Sequence, residues 1–123
     1  MPRKIEILVN NQPIKFPIQI KYCDTFNSRL RGFMFRHEIA LDEGLLLVQA
    51  RNSKADSSIH MLFVAMDLAV IWINSDLFVV DKIIAKAWRP AYFPSSPAKY
   101  TLEIHPDHIS EFSIGDKVLF NEI

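Results

Sequence analysis

Alternating apolar and polar residues predict two strands near the start of the chain. The alternation runs over Lys4–Val9 and again over Lys15–Tyr22, and a period of two is typical of half-buried strands. The apolar side of the second strand consists of Phe16, Ile18, Ile20 and Tyr22. Asn10 and Asn11 tolerate the left-handed backbone of tight turns, so the two strands should form a hairpin. Pro17 has no N–H to donate to a ladder, which favours a sheet edge.

A short helix is predicted next, over about residues 25–35. Its apolar residues recur at spacings of four and three, as expected of a helix packed on a sheet, and are Phe26, Leu30 and Phe33. Asp24 or Thr25 can cap its first turn. Gly32 inside the helix costs ~1 kcal/mol relative to alanine, so we expect another backbone to approach closely there.

The remaining pattern predicts strands separated by turns and loops. Ile59–Ile73 is the most apolar stretch, and it is interpreted as buried strand over Met61–Ala65 and Leu68–Ile73, followed by a turn at Asn74, Ser75 and Asp76. The other predicted strands are Leu45–Val48, Leu77–Ala85, Lys99–His105 and Lys117–Asn121. Along Lys99–His105, the alternation predicts that Thr101 and Glu103 face water. The fold class is therefore mainly β, a β-sandwich or distorted barrel of about seven strands with one short helix.

Length and charge restrict the classes of protein that fit. A chain of 123 residues, half of them apolar, fits a single domain spanning residues 1–123. Basic and acidic residues number 14 each, so no net charge attracts nucleic acid or acidic membranes. The same balance removes one safeguard against self-association, and we expect a monomer or a weak homodimer.

The cysteine count and the apolar run bear on the cellular compartment. Cys23 is the single cysteine, which excludes an internal disulfide and suits a reducing cytoplasm. No secretion signal is visible in the first ten residues. The apolar run Met61–Ile73 contains Asp67 and is shorter than the ~18 to 20 residues of a membrane-spanning helix. We expect a cytoplasmic protein.

Two groups of residues could contact a ligand. Guanidinium groups around the helix match the oxygens of an anion, but the pattern favours a solvated helix face on which they pair with Asp42 or Glu43. This group comprises Arg29, Arg31, Arg36 and His37. Trp88 and Arg89 open a proline-rich loop, where they could stack on a ligand or anchor the loop.

The residue pattern gives little support for a catalytic site or a metal site. His105, Asp107 and His108 have no second pair of ligands at zinc spacing, and no serine lies between glycines as in a nucleophile elbow. Cys23 lies close to the predicted helix start, which can lower a thiol pKa, but no base is identifiable. We predict no catalytic residue, no metal site and no cofactor.

A series of short motifs resembles the domain-of-unknown-function 192 family. The motifs are Arg31-Gly32-Phe33-Met34-Phe35-Arg36, Glu43-Gly44-Leu45-Leu46-Leu47-Val48, Ile59-His60, Trp88-Arg89-Pro90 and Leu102-Glu103. Together they cover residues 22–120 in the family's order. The resemblance implies a compact β-sandwich-like fold with a short helix; the family has no established activity.

The chain departs from the family pattern after Ile59-His60. Where many members carry methionine, arginine, proline and aspartate, the ungapped alignment places Val64, Ala65, Asp67 and Ala69. Two polar side chains are thus absent, and Asp67 is the one charge left in the run. A buried Asp67 would need a partner, for which Arg31 and His60 are the candidates.

Three functions remain open from the sequence. The leading hypothesis is a non-enzymatic module that binds an unknown small molecule or protein. The alternatives are a metal-assisted or hydrolase-like enzyme and a structural accessory subunit, the latter indicated by an exposed apolar patch. The candidate ligand-binding residues are Arg31, Arg36, His60, Asp67, Trp88 and Arg89.

Overall fold

The structure, a computed structural model, describes residues 3–15 and 17–122 of the chain. Its strands are β1 Arg3–Val9, β2 Gln12–Pro13, β3 Ile18–Cys23, β4 Glu43–Ser53, β5 Leu68–Ile73, β6 Val79–Ala85, β7 Ala98–Ile104 and β8 Val118–Glu122. Its helices are α1 Phe26–Arg31 and a 3-10 helix, Pro106–Glu111. The prediction of a mainly β fold with one short α-helix is confirmed.

The strands form one curled sheet. Its order is β8, β1, β3, β4, β7, β5, β6. The short β2 pairs with β1 on the same side as β3. The two ends of the sheet meet where Phe78 and Lys117 form a bridge, so the sheet approaches a distorted barrel. Among the strand pairs of the described residues, only β3 and β4 run parallel. A parallel pair requires a crossover connection, and α1 lies in that crossover.

The hairpin at the start of the chain is confirmed, with one correction. Asn10 and Asn11 have φ of 52° and 67°, the left-handed values of a tight turn, and β2 and β3 both pair antiparallel with β1. The prediction that Pro17 marks a sheet edge is wrong, because β3 lies between β1 and β4. Pro17 precedes β3 and occupies no ladder position. Phe16 lies outside the described residues.

Helix α1 is shorter than predicted. Thr25 is its N-cap, and its side chain accepts from the Ser28 amide while the Ser28 hydroxyl accepts from the Thr25 amide. The helix ends at Arg31 because Gly32 adopts φ of 44°, so Gly32 is the C-cap and not an interior residue. Leu30 was predicted to face the sheet, but it is exposed, whereas Phe33 is buried. The side chain of Phe26 lies outside the described part of the structure.

None of the described helices is long and apolar enough to span a bilayer.

The segment 59–73 is strand only in its second half. β5 is buried on both faces, as predicted. The predicted strand Met61–Ala65 is wrong, because the amides of this segment bond to separate loops. The Met61 amide donates to the Arg89 carbonyl, and the Ala65 amide donates to the Arg36 carbonyl. This segment forms a wall over the sheet.

The sheet packs apolar side chains on both faces. One face carries a large cluster that includes Ile5, Ile71 and Phe112, and the other carries a cluster that includes Leu47, Val70 and Trp72 under α1 and the 54–66 segment. Because this second face is covered, the prediction that Thr101 and Glu103 face water is wrong. Both are buried on the covered face of β7.

Candidate functional site

A cleft of about 480 Å³ lies between α1, the 55–64 segment and the covered face of β4 and β7. Its volume is within the range of small-molecule sites in proteins. Apolar side chains form most of its walls, namely Leu30, Phe33, Leu47, Ile59, Met61, Val64 and Leu68. Polar groups lie at its floor and its rim.

Glu103 lies on the floor of the cleft at the centre of the sheet. It is the cross-strand partner of Leu45 in β4 and of Val70 in β5. The residue is 5% exposed, and burial raises the pKa of its carboxyl group to about 7. Within residues 3–15 and 17–122, no side chain pairs with this carboxyl. A β-carbon on Gly32 would be 3.6 Å from Glu103 Oε1, an ordinary van der Waals distance, so the C-cap of α1 lies directly beside the carboxyl group.

Gln49 is a second buried polar residue on the same floor. It is 4% exposed and lines the cleft. Its Oε1 has no hydrogen-bond partner among the described residues. An unsatisfied buried acceptor costs about 1–3 kcal/mol, so the fold retains an acceptor that a donor from outside could satisfy.

Arg29, Arg31 and His60 lie at the rim. Arg29 Nη1 donates to the carbonyls of Asp24 and Val48, at 2.8 and 3.2 Å, and is thereby fixed. His60 Nδ1 accepts from the Leu62 amide at 3.2 Å, and its Nε2 lies 3.0 Å from the Leu30 carbonyl. This arrangement requires the tautomer with the proton on Nε2, so the imidazole joins α1 to the 59–66 segment. Of the six candidates from the sequence, Arg31 and His60 line this cleft.

Arg36 and Asp67 are engaged outside the cleft. Arg36 Nη2 donates to Glu43 Oε1 at 2.8 Å. Asp67 directly precedes β5 and accepts from the Ala87 amide at 2.9 Å and from Lys86 Nζ at 3.3 Å. The Ala87 hydrogen bond, with help from Lys86, holds the Asp67 pKa below its usual value. The prediction that Arg31 or His60 would be its partner is therefore wrong.

Trp88 belongs to an exposed aromatic cluster. The rings of Phe35 and Phe63, and of Phe63 and Trp88, are 5.5 Å apart at their centroids. All three residues have φ between 61° and 68°, which is strained for bulky side chains. Trp88 is 54% exposed, and the adjacent Arg89 is exposed too. The structure thus separates the cleft from this aromatic cluster.

The histidines near the second helix have structural partners. His105 Nδ1 accepts from the Asp107 amide and caps the 3-10 helix, while buried His108 contacts Glu111 Oε1 and the Leu41 carbonyl. In the described part of the chain, no three His, Cys, Asp or Glu residues are arranged to hold a metal ion.

Sequence reasoning missed Gln49 and Glu103 as candidates. Glu103 was named in the Leu102-Glu103 motif, yet the alternation of β7 indicated solvent. The wholly apolar sequence of β5 could have indicated the burial of Glu103. A strand buried on both faces lies where both faces of the sheet are covered, and β7 pairs with β5 there. On that reasoning, a charged residue in β7 would have been a site candidate.

Comparison with known proteins establishes the family. The profile of domain of unknown function 192 (DUF192), described as uncharacterized ACR, matches residues 7–120. The chain belongs to the DUF192 family. The predicted resemblance is thereby confirmed.

Relatives of this chain are named UPF0127 proteins. A UPF0127 protein of Pyrococcus furiosus is 33% identical over 108 residues, which cover 86% of this chain and 90% of that protein. A UPF0127 protein of Thermococcus kodakarensis is 39% identical over 85 residues, covering 69% of this chain but only 52% of that protein. The DUF192 chain thus matches about half the length of the second relative.

A solved structure shares the fold. The crystal structure of a protein of unknown function from Novosphingobium aromaticivorans matches with a TM-score of 0.82 at 18% identity, covering 96% of this chain and 84% of that one. At this identity the likeness concerns the fold alone.

Proposed function

We propose that this DUF192 protein is a non-enzymatic cytoplasmic module that binds a small molecule in the cleft over β4 and β7. The observation that carries the proposal is the pair of buried side chains Gln49 and Glu103 on the floor of an apolar cleft. Among the described residues, Gln49 Oε1 has no hydrogen-bond partner and no side chain pairs with the Glu103 carboxyl. Arg31 and His60 at the rim are retained as ligand-binding candidates.

The free-energy cost of leaving the polar groups of the cleft unpaired favours a binding role. Buried polar groups are nearly always hydrogen-bonded in folded proteins, and leaving one unpaired costs about 1–3 kcal/mol. A hydrophobic residue at position 49 or 103 would avoid that cost. A ligand that supplies the missing partners recovers it on binding, while the apolar walls contribute by burial of its body.

Glu103 could also act as a general acid or base, which keeps the enzyme hypothesis as an alternative. A carboxyl group with a pKa of about 7 is suited to proton transfer near neutral pH. The nearest thiol, Cys23, is buried, and burial raises its pKa, so it is a poor nucleophile. Binding is favoured because the described cleft pairs Glu103 with no activated nucleophile.

A cleft-blocking variant tests the proposal. We expect a thermal-shift screen of amines, alcohols, sugars and carboxylic acids to yield at least one stabilising compound, which Ala55→Trp abolishes because the indole fills the exposed rim of the cleft. A compound at ten times its Kd adds about 1.4 kcal/mol, or roughly 4 °C for a domain of this size.

Ile114→Trp is the matched control. Ile114 is exposed and does not line the cleft, so this variant adds the same bulky ring elsewhere and should keep the thermal shift. If no compound stabilises the wild type, or if Ala55→Trp retains the full shift, the cleft is not a binding site.

The aromatic cluster favours a second candidate function, contact with another protein chain. Phe35, Phe63 and Trp88 form the exposed apolar patch that a structural accessory role would require. Their left-handed backbone costs about 1–2 kcal/mol per residue, so these rings are kept at the surface against local strain. We propose a second copy of the chain as the partner, because a chain with zero net charge has no long-range electrostatic repulsion from its own copies.

Phe35→Asn tests self-association. We expect the sedimentation-derived mass of the wild type to rise with protein concentration and that of Phe35→Asn to stay at the monomer value. Asparagine tolerates the left-handed backbone, so the free energy of unfolding should change by less than about 1 kcal/mol. Phe93→Asn removes an equally exposed ring outside the cluster and should still associate. A concentration-independent wild-type mass would refute the candidate.

A further inference from the structure

The floor of the cleft carries an acidic group, Glu103, that has no cationic partner in the part of the chain that the structure describes. We infer that the cleft takes a small organic cation with N–H donors, such as a primary ammonium on an apolar body, and that Glu103 receives the charged end. This inference rests on the proposed binding function and specifies its ligand class.

The surroundings of Glu103 favour a cation over other ligands. Its β4 and β5 neighbours on the same face, Leu45 and Val70, are apolar and supply no donor. A buried carboxylate is stabilised chiefly by an opposite charge that also donates hydrogen bonds, and an ammonium group does both. An anionic ligand would instead have to approach a buried acid.

The rest of the floor fits the remainder of such a ligand. Glu103 pairs with Leu45 of β4, and Gln49 lies four residues further along β4, about 13 Å of strand at ~3.3 Å per residue. Leu47 lies between them on the same face, and Val64 and Leu68 line the cleft as well. An amine with an apolar body therefore contacts hydrocarbon, and a further donor at its far end can reach Gln49 Oε1.

Other charged groups do not neutralise Glu103. The titratable and charged groups nearest the cleft are Cys23 of β3, Arg29 and Arg31 of α1, and Asp56 and His60 of the 54–66 segment. By register, Glu43 of β4 and Lys21 of β3 share this face, but Glu43 pairs with Arg36 and Lys21 is exposed, while β5 carries no charge. Arg29 is held by backbone carbonyls and Asp56 by Arg51, and burial alone accounts for the raised pKa of Glu103. The negative charge of Glu103 must therefore be balanced by a cationic ligand or removed by protonation.

Three small probes of matched shape test the ligand class, namely benzylamine, benzyl alcohol and benzoate. At about pH 8 we expect amide-resonance titrations to show that benzylamine binds about tenfold more tightly than benzyl alcohol, and that benzoate binds most weakly. Affinity for benzylamine should fall on lowering the pH to about 5.5, because Glu103 is then protonated.

Glu103→Gln is the matched variant. It should bind benzylamine and benzyl alcohol about equally and lose the pH dependence, whereas Glu38→Gln, an exposed carboxylate outside the cleft, should behave as the wild type. If benzyl alcohol or benzoate binds the wild type as tightly as benzylamine, the ligand class is wrong while the binding cleft stands. If none of the probes perturbs the cleft amides and Ala55→Trp changes no compound's binding, the proposed function fails as well.

Discussion

Replacing Glu103 with glutamine should stabilise the free protein by about 3 kcal/mol at a pH of about 8.5 and change its stability little at about pH 4.5. Burial raises the pKa of Glu103 from 4.5 to about 7, so ionising it in the folded state is unfavourable. Glutamine has nearly the same shape and never ionises, and it therefore removes the unfavourable charge. Urea unfolding of both proteins across this pH range measures the difference.

The sign of the pH dependence follows from the direction of the shift. Because the folded protein binds the Glu103 proton more tightly than the unfolded chain does, the contribution of this group to stability is fully present below about pH 4.5. It is lost as the pH rises through about 7 and is constant above that value. Wild-type stability should therefore decline over this window, and the decline should be absent in Glu103→Gln.

An exposed carboxylate provides the control for this prediction. Glu38→Gln makes the same chemical change on the surface, so the free energy of unfolding should differ from the wild type by less than about 0.5 kcal/mol at every pH. Parallel pH profiles for the wild type and Glu103→Gln would contradict the burial of an unpaired acid in the cleft. A stabilised variant that has also lost amine binding would show that the residue is maintained for its ligand.

Strands with one solvated face were predictable from the sequence, whereas the wall of the cleft was not. β1 and β3 alternate because one of their faces meets water, and Asn10 and Asn11 supply the left-handed turn of the hairpin. Met61–Ala65 has no alternation, so its apolar residues fit a strand and a buried loop equally well. Its amides bond to carbonyls of Arg36 and Arg89, which are distant in sequence, and no local pattern indicates such pairing.

The candidate site was predictable at its rim but not at its floor. Arg31 and His60 stood out as polar residues beside apolar runs, and both line the cleft. Glu103 was placed in water because alternation reveals two faces without showing which one is covered. The crossover from β3 through α1 to β4 covers its face, and that follows only from the parallel pairing of β3 with β4.

Trp72→Ala should be the most destabilising single change considered, at about 3–5 kcal/mol, because it leaves a large cavity in the core beneath the cleft. Trp72 is fully buried, and its Nε1–H donates to the Ser57 carbonyl at 2.7 Å. Thr101 Oγ1 donates to the same carbonyl at 3.1 Å. The two donors anchor the 54–58 segment, part of which lines the cleft, to the sheet.

A double-mutant cycle separates this anchor from packing. Thr101→Val should cost about 1 kcal/mol from the lost hydrogen bond, and Trp72→Phe about 2 kcal/mol because the smaller ring also leaves a cavity; in each case the other donor still satisfies the Ser57 carbonyl. The double variant leaves that carbonyl unpaired and should cost at least about 1 kcal/mol more than the sum of the single changes. Strictly additive losses in urea unfolding would mean that the carbonyl finds water once either donor is gone. Faster amide exchange at Ser58 in the double variant alone would show instead that the rim of the cleft depends on the shared acceptor.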